Sequence, residues 1–281
     1  MKKLCFLIVS ICFFTISCSK SDNESAISSN DLENLPEDIG GLNSAKPIGN
    51  TSALFGHYIY TPSEYSENGP KYPLILFLHG SGERGNSETD PSVLDKVLIH
   101  GPSKLIENGN WHPPFPSIVV SPQLASGNWN ANDIHEFIEY LIANYQINTS
   151  RIYITGLSLG GIGIWGYIGN KGDESYAAAV VPICGNGNPN NAEKFKNTPL
   201  WAFHGADDLT VKAFVENGSA PMVEAVNAIN PKVKAKLTIY PGVGHDSWTR
   251  TYNGSGMGQE SSDYDAFNMS IYEWMFQYKK E

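Results

Sequence analysis

The chain has 281 residues, of which 41% are hydrophobic and 17% charged, with 29 acidic against 19 basic side chains and a formal net charge of -10. That length suits one large domain better than two ordinary ones, and the low charged fraction belongs to a packed globular protein. The acidic balance excludes a surface for nucleic acid, for an anionic membrane or for a polyanionic substrate, because phosphate binding draws on clustered Lys and Arg.

Lys2 and Lys3 precede an apolar stretch from Leu4 to Ile16, followed by Ser17 and Cys18. A basic start, a short apolar core and small residues before a cleavage point make residues 1–17 a signal peptide, with an apolar run too short for a permanent span. The segment resembles a bacterial lipoprotein leader. That resemblance implies lipidation of Cys18 and an exported protein held to a membrane, periplasmic or cell-surface, through the lipid alone, with free secretion as the alternative. Cys5 and Cys12 would leave with the leader, so Cys184 is the one free thiol of the mature chain and no internal disulfide forms. Cys184 ends an apolar run without basic or metal-ligand companions and reads as a buried structural residue.

Residues 18–50 are rich in Ser, Asn, Asp and Glu without an apolar period, and read as a flexible tether to a catalytic domain over 51–281. Strand-like runs then follow at Phe55 to Tyr60, Pro73 to His79, Ser117 to Ser121, Arg151 to Thr155, Ala177 to Cys184, Leu200 to His204 and Lys236 to Tyr240. Helical patterns alternate with them. Ile134, Phe137, Ile138, Leu141, Ile142 and Tyr145 share one face of a 3.6-residue period, and further helices are predicted over Val211 to Ile229 and about Asp263 to Tyr278. Apolar strands alternating with amphipathic helices predict an α/β fold with a mainly parallel sheet covered on both faces, and ligands of such sheets bind beyond the strand C-termini. Two polar stretches break the alternation. Glu83 to Pro116, with one predicted helix from Val93 to His100, and Tyr252 to Ser262 are too small for a lid domain and predict a site open enough for part of a large substrate.

The chemistry centres on Gly156-Leu157-Ser158-Leu159-Gly160, which joins the apolar strand ending at Thr155 to a helix-like segment. A serine between glycines at a strand-to-helix junction reads as a nucleophile elbow, exposed on a strained turn that only small neighbours permit. A serine needs a base, and the base an acid to fix its tautomer; in an elbow fold the chain order is Ser, Asp or Glu, His. Downstream, one strand ends in Gly205-Ala206-Asp207-Asp208 and the next in Gly242-Val243-Gly244-His245. His245 is the only histidine after the acid strand and is the predicted base. Asp207 and Asp208 compete for the acid, and Asp246 is too local to orient its neighbour and reads as a loop cap. The oxyanion hole needs two backbone donors: the N–H of Leu159, and the N–H of Ser81 in the strand-end run His79-Gly80-Ser81-Gly82. His79 and His204, each at an apolar strand end, read as packed structural residues. Trp129, Trp248 and, more weakly, Gln123 are candidate substrate contacts. No His/Cys/Asp/Glu cluster has metal-ligand spacing and no glycine loop suits a phosphate, so no cofactor is expected.

His79-Gly80-Ser81-Gly82-Glu83-Arg84-Gly85, Ser121-Pro122-Gln123, Gly156 to Gly161, His204-Gly205-Ala206-Asp207-Asp208 and Gly244-His245-Asp246-Ser247-Trp248 resemble the successive motifs of α/β-hydrolase serine esterases. The resemblance runs from about Phe55 to Lys279 and is nearest to feruloyl and acetylxylan esterases and the related single-domain predicted peptidases. It implies the α/β-hydrolase fold, Asp208 as the acid, because the motif places it four residues after the strand-end histidine, and hydrolysis of an ester on a polysaccharide through an acyl-enzyme. A peptidase resembling the prolyl oligopeptidases would share this core. Those enzymes carry a large additional domain, and only about fifty residues precede the first predicted strand here. A carbohydrate-binding protein on a degenerate scaffold, stacking sugars on Trp111, Trp129 and Trp248, is the rival from another class; degenerate scaffolds lose a triad residue, and here all three are in place.

Overall fold

The computed structural model describes residues 30–281; the leader, Cys18 and the rest of residues 1–29 lie outside the described residues. Eight strands build one sheet: β1 (Leu42–Lys46), β2 (Gly56–Thr61), β3 (Tyr72–Leu78), β4 (Ile118–Gln123), β5 (Ile147–Leu157), β6 (Ala177–Ile183), β7 (Trp201–Gly205) and β8 (Lys236–Tyr240), in the order β1-β2-β4-β3-β5-β6-β7-β8. β1 with β2 and β2 with β4 run antiparallel, and the other neighbours run parallel. This is the α/β-hydrolase fold that the motifs imply. The seven strands read from the sequence are all present. β5 begins four residues earlier than its apolar run, through a first half with partly exposed positions that hides its pattern.

Side chains alternate across the sheet as the two-residue strand period requires. On β3, Leu74, Leu76 and Leu78 pack into one core layer while Ile75 and Phe77 pack into the other. α3 (Ala131–Asn144) and α4 (Leu159–Lys171) cover the first face. On α3 the buried residues are Ile134, Phe137, Ile138 and Leu141, the face expected from the periodicity, and Asn130 caps its first turn. Sheet residues such as Trp201 and Phe203 pack with Phe267 and Trp274 against the second face.

Four expectations require correction. The stretch read as a tether is partly built into the domain: β1 lies within it, and in α1 (Asn30–Glu33) Asp31 pairs with the buried Arg151 at 2.7 Å while Leu32 is buried. The helix expected over 93–100 is a 3-10 segment, Pro91–Leu98, with α2 (Gly101–Glu107) following it. The helix expected over 211–229 is only α5 (Ser219–Ala228), because the Asp208 carboxylate draws the amides of Thr210 and Val211 into a turn. The closing helix is only α7 (Ile271–Met275), started by a reciprocal Ser270–Glu273 capping box. The residues before it run along the edge of β8, where Asp265 N–H donates to Leu237 O and the Asp265 carboxylate accepts from Leu237 N. Covering an open edge satisfies more backbone groups than a freestanding turn of helix would.

Candidate active site

The elbow is built by register. Leu78 pairs with Gly156 and Leu157 with Ile183, so the C-terminal ends of β3, β5 and β6 meet beside Ser158. Ser158 has φ 51° and ψ -115°, a left-handed conformation that is strained for a side-chain-bearing residue by roughly 1–3 kcal/mol. Three contacts hold it there: its N–H donates to Ile183 O at 2.9 Å and lies 3.2 Å from Cys184 Sγ, and its carbonyl accepts from Ile162 N–H at 2.9 Å. The flanking glycines are obligatory by approach distance. A Cβ on Gly156 would sit 2.6 Å from Leu78 O, and one on Gly160 1.8 Å from the same oxygen. Cys184 is fully buried, burial pushes its thiol up, and no disulfide partner is present among the described residues.

Ser158, His245 and Asp208 come together from three strand ends. Ser158 Oγ is 2.9 Å from His245 Nε2, and His245 Nδ1 is 2.7 Å from Asp208 Oδ2. A carboxylate accepts, so Nδ1 carries the proton and Nε2 is left to accept from the serine hydroxyl. Asp208 is buried and its remaining lone pairs are filled: Oδ1 accepts from the amides of Thr210 at 2.8 Å and Val211 at 2.9 Å, and Oδ2 lies 3.2 Å from His204 Nε2. Burial is the largest influence on this carboxyl and disfavours its charge. The hydrogen bonds from His204, His245 and Val211 together outweigh it and hold the group well below the usual carboxylate range. His204 is thus packed as expected, but its contact with Asp208 is one the sequence did not indicate; the signal available was the four-residue spacing between them. Asp207 is not part of this array. Asp246 accepts from the Thr249 amide and hydroxyl at the start of α6 (Trp248–Tyr252).

Leu159 is the first residue of α4 and Ser81 the first of a 3-10 turn, Ser81–Glu83, so neither amide has an acceptor within its own helical turn. The two turns start side by side: a Cβ on Gly80 would lie 3.6 Å from Ser158 Cβ. His79 fixes this loop. Its Nε2 accepts from Leu124 N–H at 2.9 Å and its Nδ1 donates to Gly80 O, which sets a neutral tautomer, and burial pushes the ring down to about 4. Glu83, absent from the sequence-based candidates, is buried beneath the loop with Oε1 3.5 Å from His100 Nε2 and Oε2 3.8 Å from His79 Nδ1.

The three candidate substrate contacts separate. Trp248 is half-buried beside the base, its ring edge-on to His245 at 5.3 Å and to His100 at 5.4 Å, with Nε1–H donating to His100 Nδ1 at 3.3 Å. Trp129 instead packs between Phe55 and His79, with its indole N–H donating to His79 O at 3.0 Å. It stands behind the loop and is 8% exposed. Gln123 is fully buried and donates to the carbonyls of Glu83 and Val93, so it ties the polar insertion to β4. Among the described residues no group of His, Cys, Asp and Glu could hold a metal ion, and no helix is long and apolar enough to cross a membrane.

Residues 64–253 match the family described as phospholipase/carboxylesterase. Over 247 residues the chain is 22% identical to a probable acetylxylan esterase A of Aspergillus clavatus, covering 83% of this chain and 76% of that protein. It is 26% identical to a bifunctional acetylxylan esterase/xylanase of Neocallimastix patriciarum, of which it spans only 23%. Among solved structures, a thermostable esterase is similar at a TM-score of 0.61 and 26% identity, over 86% of this chain and 64% of that one. The feruloyl esterase module of Clostridium thermocellum complexed with sinapinate shares the fold at a TM-score of 0.58 and 18% identity, over 90% and 92% of the two chains. The chain therefore belongs to the phospholipase/carboxylesterase family and is a carboxylic ester hydrolase of the α/β-hydrolase fold.

Proposed function

We propose that this hydrolase is an exported serine esterase acting on acetyl or feruloyl esters of a polysaccharide, with Ser158 as nucleophile, His245 as general base and acid, and Asp208 as the acid that orients His245. The observation that carries the reading is the unbroken array from Ser158 Oγ through both nitrogens of His245 to a carboxylate held in its charged form. In the first half-reaction Ser158 Oγ passes its proton to His245 Nε2 and bonds to the ester carbonyl carbon. The carbonyl oxygen takes the electron pair and is met by the amides of Ser81 and Leu159, where preorganised donors stabilise developing charge best. Collapse breaks the bond to the alcohol oxygen, which leaves with the proton from His245. Water then delivers a proton to His245, attacks the acyl-enzyme, and the acid departs as Ser158 Oγ is reprotonated.

Acetylxylan esterase and feruloyl esterase names among the relatives support a polysaccharide ester, and the leader ending at Cys18 supports export with a lipid anchor. Replacing Ser158 with Ala tests the chemistry: turnover of 4-nitrophenyl acetate falls by on the order of 10^5–10^6, while far-UV circular dichroism stays unchanged. Retained turnover refutes the assignment.

A further inference from the structure

Trp248, edge-on to His245, also lines a cavity of about 710 Å³ whose lining includes none of the triad residues. It opens between α2 in the first polar insertion and α6, with Trp111, Trp248, Tyr252 and Tyr272 among its walls and Asn108, Asn110 and Asn253 at its edge. Its size falls within the roughly 300–1,000 Å³ usual for small-molecule sites, far beyond what an acetyl group needs. Trp111 and Tyr272 pack edge-on to one another in its wall, with ring centroids 4.9 Å apart.

The charge of the lining is the second observation. In a chain with 29 acidic residues, none of the lining residues is Asp or Glu, whereas Lys104, His100 and His112 are all present. Lys104 is exposed and its ammonium has no ion-pair partner among the described residues. Glu83 and Asp246 act on His100 in this wall, Asp246 is already committed to Thr249, and Glu107, one turn along α2 from Lys104, forms no ion pair with it among the described residues. Aromatic walls with amides at the rim suit the alternating apolar faces and hydroxyls of a sugar. One exposed cation that forms no ion pair suits a single negative charge.

We propose that this cavity binds the glycan on the alcohol side of the ester, and that Lys104 recognises the carboxylate of a uronic acid in it. The proposal rests on the polysaccharide-ester reading above. Trp248 would then touch both the base and the sugar. The chain's overall negative charge does not oppose this, because exposed charges beyond about 8–10 Å are screened at physiological salt.

The test is calorimetric titration of the wild-type chain with unesterified xylotetraose and with the same tetrasaccharide carrying one glucuronic acid, each repeated on Lys104→Gln. The acidic sugar is expected to bind the wild type about fivefold more tightly at low salt, the ratio an exposed ion pair supplies, and equally with the neutral sugar in Lys104→Gln. Equal affinities in the wild type, an advantage that survives in Lys104→Gln, or no binding of either sugar each overturn the proposal. Turnover of 4-nitrophenyl acetate by the wild type and Ser158→Ala reads the catalytic assignment separately, so the two can fail independently.

Discussion

Two histidines away from the proton-transfer path set an acid limit on this fold. His57 is fully buried on β2, its Nδ1 facing Phe55 O at 3.0 Å and its ring edge-on to Phe137 at 5.2 Å; His79 is equally buried beneath the Gly80 loop. Burial pushes both rings down from 6.5 to about 4. Between those values the unfolded chain binds a proton that the native ring does not, so stability falls as pH drops from 6.5 and the loss is complete below about 4. Integrated from pH 7 to pH 5, the linkage amounts to about 2 kcal/mol for each ring. His57→Phe isolates one share, since the lost hydrogen bond and altered packing are constant offsets at both pH values. Urea unfolding of the two proteins at pH 7 and pH 5 should show the wild type losing about 2 kcal/mol more than the variant on acidification. Asp31 and Asp208, whose carboxyls are held low, lose their contribution only at still lower pH, and their effect cancels in the comparison. An identical pH response in both proteins would refute the reasoning, because His57 would then titrate alike folded and unfolded.

The strand ends were legible because the same apolar runs that name the strands also stop where the chemistry begins. β3 stops before His79, β5 before Ser158, β7 before Ala206 and β8 before Pro241, each within a residue or two of its pattern. Parallel pairing then brings those ends together, so order along the chain and position at a strand terminus were enough to gather Ser158, His245 and the Asp207–Asp208 pair, and the motif resemblance singled out Asp208 within that pair. What could not be read is whatever depends on partners distant in sequence. β1 has no apolar alternation of its own, and its strand state comes from pairing Leu42 to Lys46 along β2. Gln123 and Trp129 look like exposed polar and aromatic candidates until the 83–116 insertion folds back and claims the Gln123 amide, and the Gly80 loop claims the Trp129 indole. Glu83 and His100, 17 residues apart within that insertion, meet only because a 3-10 segment and the start of α2 turn the chain back.

Three further outcomes follow from particular contacts. Asp208→Asn should lower kcat for 4-nitrophenyl acetate by about 10^4, because the amide can offer its N–H to His245 and favour the wrong tautomer; a loss under tenfold argues that another group orients the base. Cys18→Ala should move the protein from the membrane fraction to the soluble fraction on cell fractionation, and unchanged membrane association refutes lipid anchoring. Trp129→Phe keeps the aromatic packing against Phe55 but removes the donor to His79 O. A buried carbonyl left without that partner costs about 1–3 kcal/mol, which for a chain of this size lowers Tm by roughly 2–10 °C. Because Trp129 supports the loop from behind, KM for acetylated and feruloylated oligosaccharides should stay within twofold of the wild type while Tm falls. A large rise in KM at unchanged Tm would return Trp129 to the substrate cleft and overturn its assignment as a support of the Gly80 loop.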